Sequence, residues 1–348
     1  MKLLGKALTI ASLILSWILI PGLSAAAHYP GANWERINNA EEVGWSADKI
    51  QQAKQYATAM NSVGGLVIYD GKVLLEWGDV SKRGNVHSVR KSLLSGLYGI
   101  YGSEAEVKLT ATLEQLGIDD NAPSLSEQEK QARVIDLLKA RSGIYHPAVY
   151  ETKGMKNNRP LRGSHAPDTF WYYNNWDFNV LGFIFEKQTG KKIENAFKEK
   201  IATPLEMQDF QPNDVSYYYG NESNYPAYPF ELTARDMARF GLLYLRNGEW
   251  NGKQVIPRPW IEESTKAYSD AGSGVGYGYL WWVGKGWILG NKIDGPAYRA
   301  DGHGGQFIVV LPSYNLVIVN LSNFDSSGID SHGQFGGLIK LILSAKNN

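Results

Sequence analysis

Apolar positions along this chain recur with two different periods. Near the start, "WSADKIQQAKQYATAM" places Ile50, Ala53 and Ala57 on one helical face, with Ser46 as the expected cap. "GGLVIYDGKVLLEWG" then sets two apolar runs around Asp70-Gly71, a hairpin signature. "NVHSVRKSLLSGLYGI" follows and is apolar nearly all round, which predicts a buried helix from about Ser88 to Tyr101. In the middle of the chain the helical period dominates. "LTATLEQLGI", "SEQEKQARVIDLLKARSG", "DFNVLGFIFEKQTG" and "TARDMARFGLLYLRNG" all read as helices, the last capped by Thr233 and stopped at Gly248. Towards the end "YGYLWWVG", "GQFIVVLP" and "YNLVIVNLS" read as strands, "PSYN" as a turn, and "FGGLIKLILSAK" as a closing helix. "GSGVGYG" is too irregular for a nucleotide loop and reads as a mobile loop.

Strands at both ends with helices between them predict an α+β fold. One antiparallel sheet would be built from both chain ends and flanked by the terminal helices, with a mainly helical region inserted. The sheet part would cover about 28–104 and 231–348, and the helical part about 105–230. A cleft is expected where the two parts meet.

The first residues fall outside this pattern. Lys2 and Lys6 precede an apolar run from Ala7 to Ile20, and small residues follow Pro21-Gly22. This predicts a signal peptide over 1–27, cleaved after Ala27, and a periplasmic or secreted protein. The alternative, a membrane anchor, calls for a longer apolar run, so stable membrane insertion after cleavage is not expected. The 348 residues carry a formal net charge of zero. Loss of Lys2 and Lys6 leaves about −2. Neither value favours nucleic acid as a partner; a small-molecule or short peptide-like substrate is expected instead. The absence of cysteine excludes disulfides, thiolate metal sites and a cysteine nucleophile. The six histidines show no metal-ligand spacing, so neither metal nor cofactor is expected.

Chemistry enters at Ser88 and Lys91. Residues three apart share a helix face, so both side chains would point into one space at a helix N-terminus rich in free N–H groups. An identical spacing at Ser46 and Lys49 opens a polar helix and reads as an ordinary cap. A nucleophile with its base and a buried, paired lysine both remain open on this spacing alone. Two further segments add to it. "FWYYNNWDFNVLG" carries Tyr173, Asn174 and Asn175 ahead of a helix, and "YRADGHGGQFIVVLP" carries His303, Gly304 and Gly305 leading into a strand. A tyrosine beside a lysine is expected to have its pKa drawn down, making it a general base. Two adjacent glycines let a substrate carbonyl approach the backbone.

"SVRK", "YNN" and "HGG", in that order, resemble the Ser-x-x-Lys, Tyr-x-Asn and Lys/His-x-Gly boxes of the serine β-lactamase and penicillin-binding protein superfamily. The likeness extends over most of the chain through segments such as "VIDLLKARSGIYH" and "IATPLEMQDF". It is closest to the branch of class C β-lactamases, D-Ala-D-Ala carboxypeptidases, esterases and 6-aminohexanoate-dimer hydrolases. The resemblance implies a β-lactamase-like fold and acyl transfer without a cofactor. It makes Ser88 the nucleophile, Lys91 a partner in its deprotonation and Tyr173 the acid/base. Asn175, His303, Gly304 and Gly305 would bind substrate, and the backbone N–H groups of Ser88 and Gln306 would form the oxyanion hole. His303 stands where classical β-lactamases carry a lysine, which weakens the expected hold on a β-lactam carboxylate. An ester or amide is therefore the expected substrate. The alternatives are D-Ala-D-Ala carboxypeptidase, penicillin-binding or β-lactamase activity, or a non-catalytic binding protein of the same fold. Asp168 departs from the glycine that relatives commonly have ahead of the tyrosine box.

Overall fold

The predicted hairpin is the starting edge of the main sheet. In the computed structural model, which describes residues 27–323 and 331–347, strands β1 (Ser62–Tyr69) and β2 (Lys72–Gly78) are joined at Asp70 and Gly71, with φ of 47° and 81°. Both angles lie in the left-handed region that such two-residue turns require. The predicted signal peptide lies outside the described residues, apart from Ala27.

Six more strands complete the sheet: β3 (Ser269–Asp270), β4 (Val275–Tyr277), β5 (Trp282–Gly284), β6 (Ala297–Gly302), β7 (Gln306–Leu311) and β8 (Leu316–Ser322). Their order is β2-β1-β8-β7-β6-β5-β4-β3, antiparallel throughout. The first strand of the chain thus pairs with the last, Val67 opposite Ile318.

The central strands are buried on both faces, which is why they read as unbroken apolar runs. Leu66, Ile68, Ile308, Val317 and Val319 join a core shared with the helical region. Val67, Val309, Leu316 and Ile318 join a second core under the terminal helices α1 (Ala47–Ala59) and α5 (Ser331–Ser344). Helices α2 (Val89–Ser103) and α4 (Ala234–Leu245) pack on the first face, and α3 (Asn175–Thr189) packs against α2. Where α4 meets the sheet, Gly241 keeps the contact close. A Cβ there would lie 2.5 Å from Val317 Cγ1 and 2.9 Å from Ile308 Cγ2.

Several expectations change in the middle of the chain. "LTATLEQLGI" forms turns, not a helix, because its backbone bonds across to a neighbouring segment. Leu113 N–H donates to Ala132 O at 2.9 Å, and Val134 N–H to Ala111 O at 3.1 Å. The long helix expected after Ser126 is reduced to Val134–Leu138 and a short 3₁₀ turn. "YGYLWWVG" holds parts of two strands, β4 and β5, and "GSGVGYG" is the tight β3–β4 turn with the start of β4. Ser46 sits at the N-cap of α1, but its side chain makes no capping bond. Among the described residues, no helix is long and apolar enough to cross a membrane.

Candidate active site

Helix α2 carries the first part of the site, and a strained turn aims it. Asn85 Oδ1 accepts a hydrogen bond from the His87 N–H at 2.8 Å. His87 itself has φ of 47°, uncommon for a residue with a side chain. Ser88 follows as the N-cap, with no capping bond from its side chain. The N–H groups of Val89, Arg90 and Lys91 are not free, contrary to the expectation for a helix start. They bond back to the carbonyls of Val86, His87 and Ser88 at 3.1, 3.3 and 3.1 Å. The Ser88 hydroxyl is left to face a cleft of about 570 Å³.

The second part comes from the approach to α3. Tyr172 N–H donates to Ala140 O at 3.0 Å, and Asn174 Nδ2 to Ile144 O at 2.6 Å. Asn174 Oδ1 in turn caps α3 through the Trp176 N–H. These bonds pin the segment holding Tyr173 against the loop at 140–144. Behind it, Asp177 is fully buried and meets Ser142 Oγ at 2.6 Å and Asn174 Nδ2 at 2.9 Å. Burial pushes its carboxyl well above the usual range despite those bonds. Asp177 is therefore biased towards its protonated form, although it stands in the first turn of a helix, where the dipole favours the charged one.

The two parts meet at the Lys91 amine. Nζ lies 2.6 Å from Ser88 Oγ and 2.9 Å from Tyr173 OH. It also sits 4.8 Å from the centroids of the Tyr173 and Phe178 rings. Lys91 is 1% exposed. Burial, reinforced by the neighbouring Arg90 guanidinium, pushes its pKa well below the ordinary lysine value, while Asp301 opposes the shift. Tyr173 moves the opposite way to the sequence expectation. Burial raises it above its usual value, outweighing the lowering influence of Ser88 and Arg90. In place of a phenol drawn towards its anion, the site thus pairs an amine biased towards its neutral form with a phenol biased towards its protonated form. Such an amine is within reach to take the Ser88 proton.

The remaining predicted residues divide. Asn175 and His303 line the same cleft as Ser88. Asn175 is held by a bond from its Nδ2 to Tyr150 O at 2.7 Å, and its Oδ1 has no partner among the described residues. The His303 ring stands edge-on to His87 at 6.1 Å, and burial, then His303, Arg90 and Lys91, lower the His87 pKa to about 4. Gly304 and Gly305, with φ of 84° and 101°, form the turn into β7 and line a separate small hollow with Asn61 and Ser322. The structure does not bring them into the Ser88 cleft. Gln306 opens β7 fully buried, its side chain engaged with Ser322 N and O.

Asp168 has φ of 62°. This is a region that glycine, which the resemblance implies at this place, reaches without strain. Here its carboxylate bonds Lys139 and Arg141, each at 2.9 Å. Sequence reasoning missed part of the cleft wall: Tyr150, Glu151, Met155, Lys156, Tyr218 and Glu222. Met155 and Lys156 come from a short helix, Lys153–Asn158, and the others from turns and loops, all too short to carry an apolar period. His146 and His165 are outside that wall. His146 is buried against Asn121 O, and His165 stacks on Phe170.

A model of the Beta-lactamase family matches residues 47–333 of the chain. Similar solved structures include a putative 6-aminohexanoate-dimer hydrolase from Bacillus anthracis. It is 19% identical with a TM-score of 0.65, covering 88% of this chain and 86% of that one. An octameric penicillin-binding protein homologue from Pyrococcus abyssi is 20% identical with a TM-score of 0.62, over 86% and 76% of the two chains. EstCE1, a hydrolase with promiscuous acyltransferase activity, is 15% identical with a TM-score of 0.62, over 84% and 98%. An uncharacterized protein of Alkalihalophilus pseudofirmus is 19% identical over 282 residues, 74% of this chain and 82% of its own.

Proposed function

The chain belongs to the Beta-lactamase family, and from that premise we propose that it is an exported serine hydrolase cleaving an ester or amide bond through an acyl-enzyme on Ser88. The observation that carries this is the Lys91 amine within 2.6 Å of Ser88 Oγ and 2.9 Å of Tyr173 OH. Neutral Lys91 takes the hydroxyl proton as Oγ attacks the carbonyl carbon. The oxyanion forms against the N–H groups of Ser88 and Gln306. Collapse breaks the bond to the alcohol or amine, which leaves with a proton passed from Lys91 through Tyr173. Water then gives up a proton to the same pair and attacks the acyl carbon; the C–Oγ bond breaks, and the pair returns that proton to Ser88 Oγ. Asn175 and His303 contact the substrate, and no cofactor takes part.

The substrate class is supported by the cleft wall. Tyr150, Tyr218 and Met155 offer apolar surface, and Glu151, Lys156 and Glu222 mix charges of both signs. This suits a small or short peptide-like molecule. The neighbours described as an aminohexanoate-dimer hydrolase and as a hydrolase with acyltransferase activity support the same reading. Export rests on the signal-like residues 1–27 alone.

Mass spectrometry after reaction with a fluorophosphonate tests the proposal. A single adduct on Ser88 is expected, and a mature N-terminus at His28 from the native host. An unlabelled protein would leave only a binding role for the fold. A panel of butyrate esters, an aminohexanoate dimer, a D-Ala-D-Ala peptide and a chromogenic cephalosporin should rank the esters and the linear amide first. A cephalosporin turned over fastest would reverse the substrate assignment.

A further inference from the structure

Arg90 is the most anomalous charge near the cleft. It is 1% exposed, and among the described residues no carboxylate pairs with it. Its Nη1 donates to the His87 carbonyl at 3.2 Å, while Nε and Nη2 have no partner. The guanidinium lies between two rings, 5.3 Å from the centroid of Tyr150 and 5.2 Å from that of Tyr228. Aromatic faces attract a cation, but they do not replace the water or counter-charge that a buried guanidinium loses. An uncompensated cation next in sequence to a buried lysine is costly for folding. A neutral residue would fill the space between two tyrosines at less cost.

We propose that Arg90 is a positioning residue of the active site, a fixed buried charge that holds the His87–Ser88 turn by its carbonyl and disfavours a second positive charge on Lys91. This rests on the reading of Lys91 as the group that deprotonates Ser88. Arginine suits the task because its planar guanidinium can stack between two rings while donating to a carbonyl. The groups facing Lys91 are few. Arg90 and His87 come from its own segment, Tyr173 from the approach to α3, and Asp301 from β6. Asp301 is the sole carboxylate among them and is already engaged by Arg299 and His332 at 3.1 and 2.9 Å. Arg90 therefore acts against a counter-charge that is largely spoken for. The Tyr150 and Tyr228 rings keep it from turning away.

The test is the pH dependence of fluorophosphonate labelling at Ser88, from pH 5 to 10, in the full chain. Arg90→Gln keeps a donor for the His87 carbonyl and removes the charge. Its acid limb should move up by about one pH unit, a tenfold loss of rate on that limb, the scale of one unit charge in a partly buried site. The alkaline plateau should stay within about threefold, because the nucleophile itself is unchanged. Arg90→Lys keeps the charge, and its limb should stay within about 0.3 units of the parent. A folded Arg90→Gln protein with an unmoved limb would overturn the role of Arg90 while leaving Ser88 in place. If Arg90→Gln does not fold, Arg90→Lys decides, and a limb raised by about a full unit would overturn the proposal. Absence of labelling in the unaltered protein would remove both this role and the hydrolase reading.

Discussion

At the scale of single residues, the site depends on which group is neutral. Lys91 is pressed towards the free amine by burial and by Arg90, and Tyr173 is kept as a phenol by burial. Both shifts point towards the forms that the proposed proton transfers use. Ser88→Ala removes the attacking atom, so turnover of any ester or amide substrate should vanish while the thermal midpoint stays close to the parent. Tyr173→Phe keeps the ring contact with Trp282 at 5.2 Å but removes the proton relay. Its kcat should fall at least about a hundredfold; full activity would reassign the relay to Lys91 alone. Ser88 and Lys91 were legible because a helix repeats its faces. The protonation of Tyr173 was not. A sequence records that a lysine can lie near a tyrosine, but not how much water reaches either.

At the scale of elements, the segments around the site are held by groups buried for that purpose. Asp177 ties the start of α3 to Ser142 and to the loop beneath it. Its folded pKa lies above the unfolded value near 3.8. Its contribution to stability is therefore complete below that value and declines as pH rises towards the folded one. Asp177→Asn copies the neutral acid and has no such decline. Thermal melts from pH 4 to 9 should show the Asn variant gaining on the parent as pH rises. Asp177→Ala should instead lose about 1–3 kcal/mol through unpaired Ser142 and Asn174. Helix α4 sets a different limit. At Gly241 any side chain meets Val317 and Ile308, and Gly241→Val should cost about 3 kcal/mol or more, read from the urea midpoint. Element types were readable wherever one face was strongly apolar, as in α1, α3 and α4. The reading failed at "LTATLEQLGI", whose leucines satisfy a helical period while its backbone bonds to residues some twenty positions on.

At the scale of the whole molecule, two cores share one sheet. The inner faces of the central strands are covered by α2 and α4, with α3 packed on α2, and their outer faces by α1 and α5. Truncation before Ser331 would uncover Phe307, Val309, Leu311 and Ile318 together. The shortened chain should fail to give a cooperative thermal transition, whereas a merely peripheral helix would leave one intact. The α+β class and the closing of the sheet by both chain ends could be foreseen from the order of the patterns. The cleft wall could not, because Tyr150 and Glu222 come from turns and bends and Met155 from a helix of six residues, Lys153–Asn158, which only the finished packing brings together.

The pairing of β1 with β8 also governs how this protein is born. Ser62 faces Ser322, and at roughly 5–20 residues per second a ribosome needs about 13–52 s to add the intervening chain. Until then β1 has only the β2 side of its hairpin satisfied, and the nascent polypeptide cannot be native. For that interval it remains threadable, able to pass through a narrow translocation channel that would stop the completed sheet.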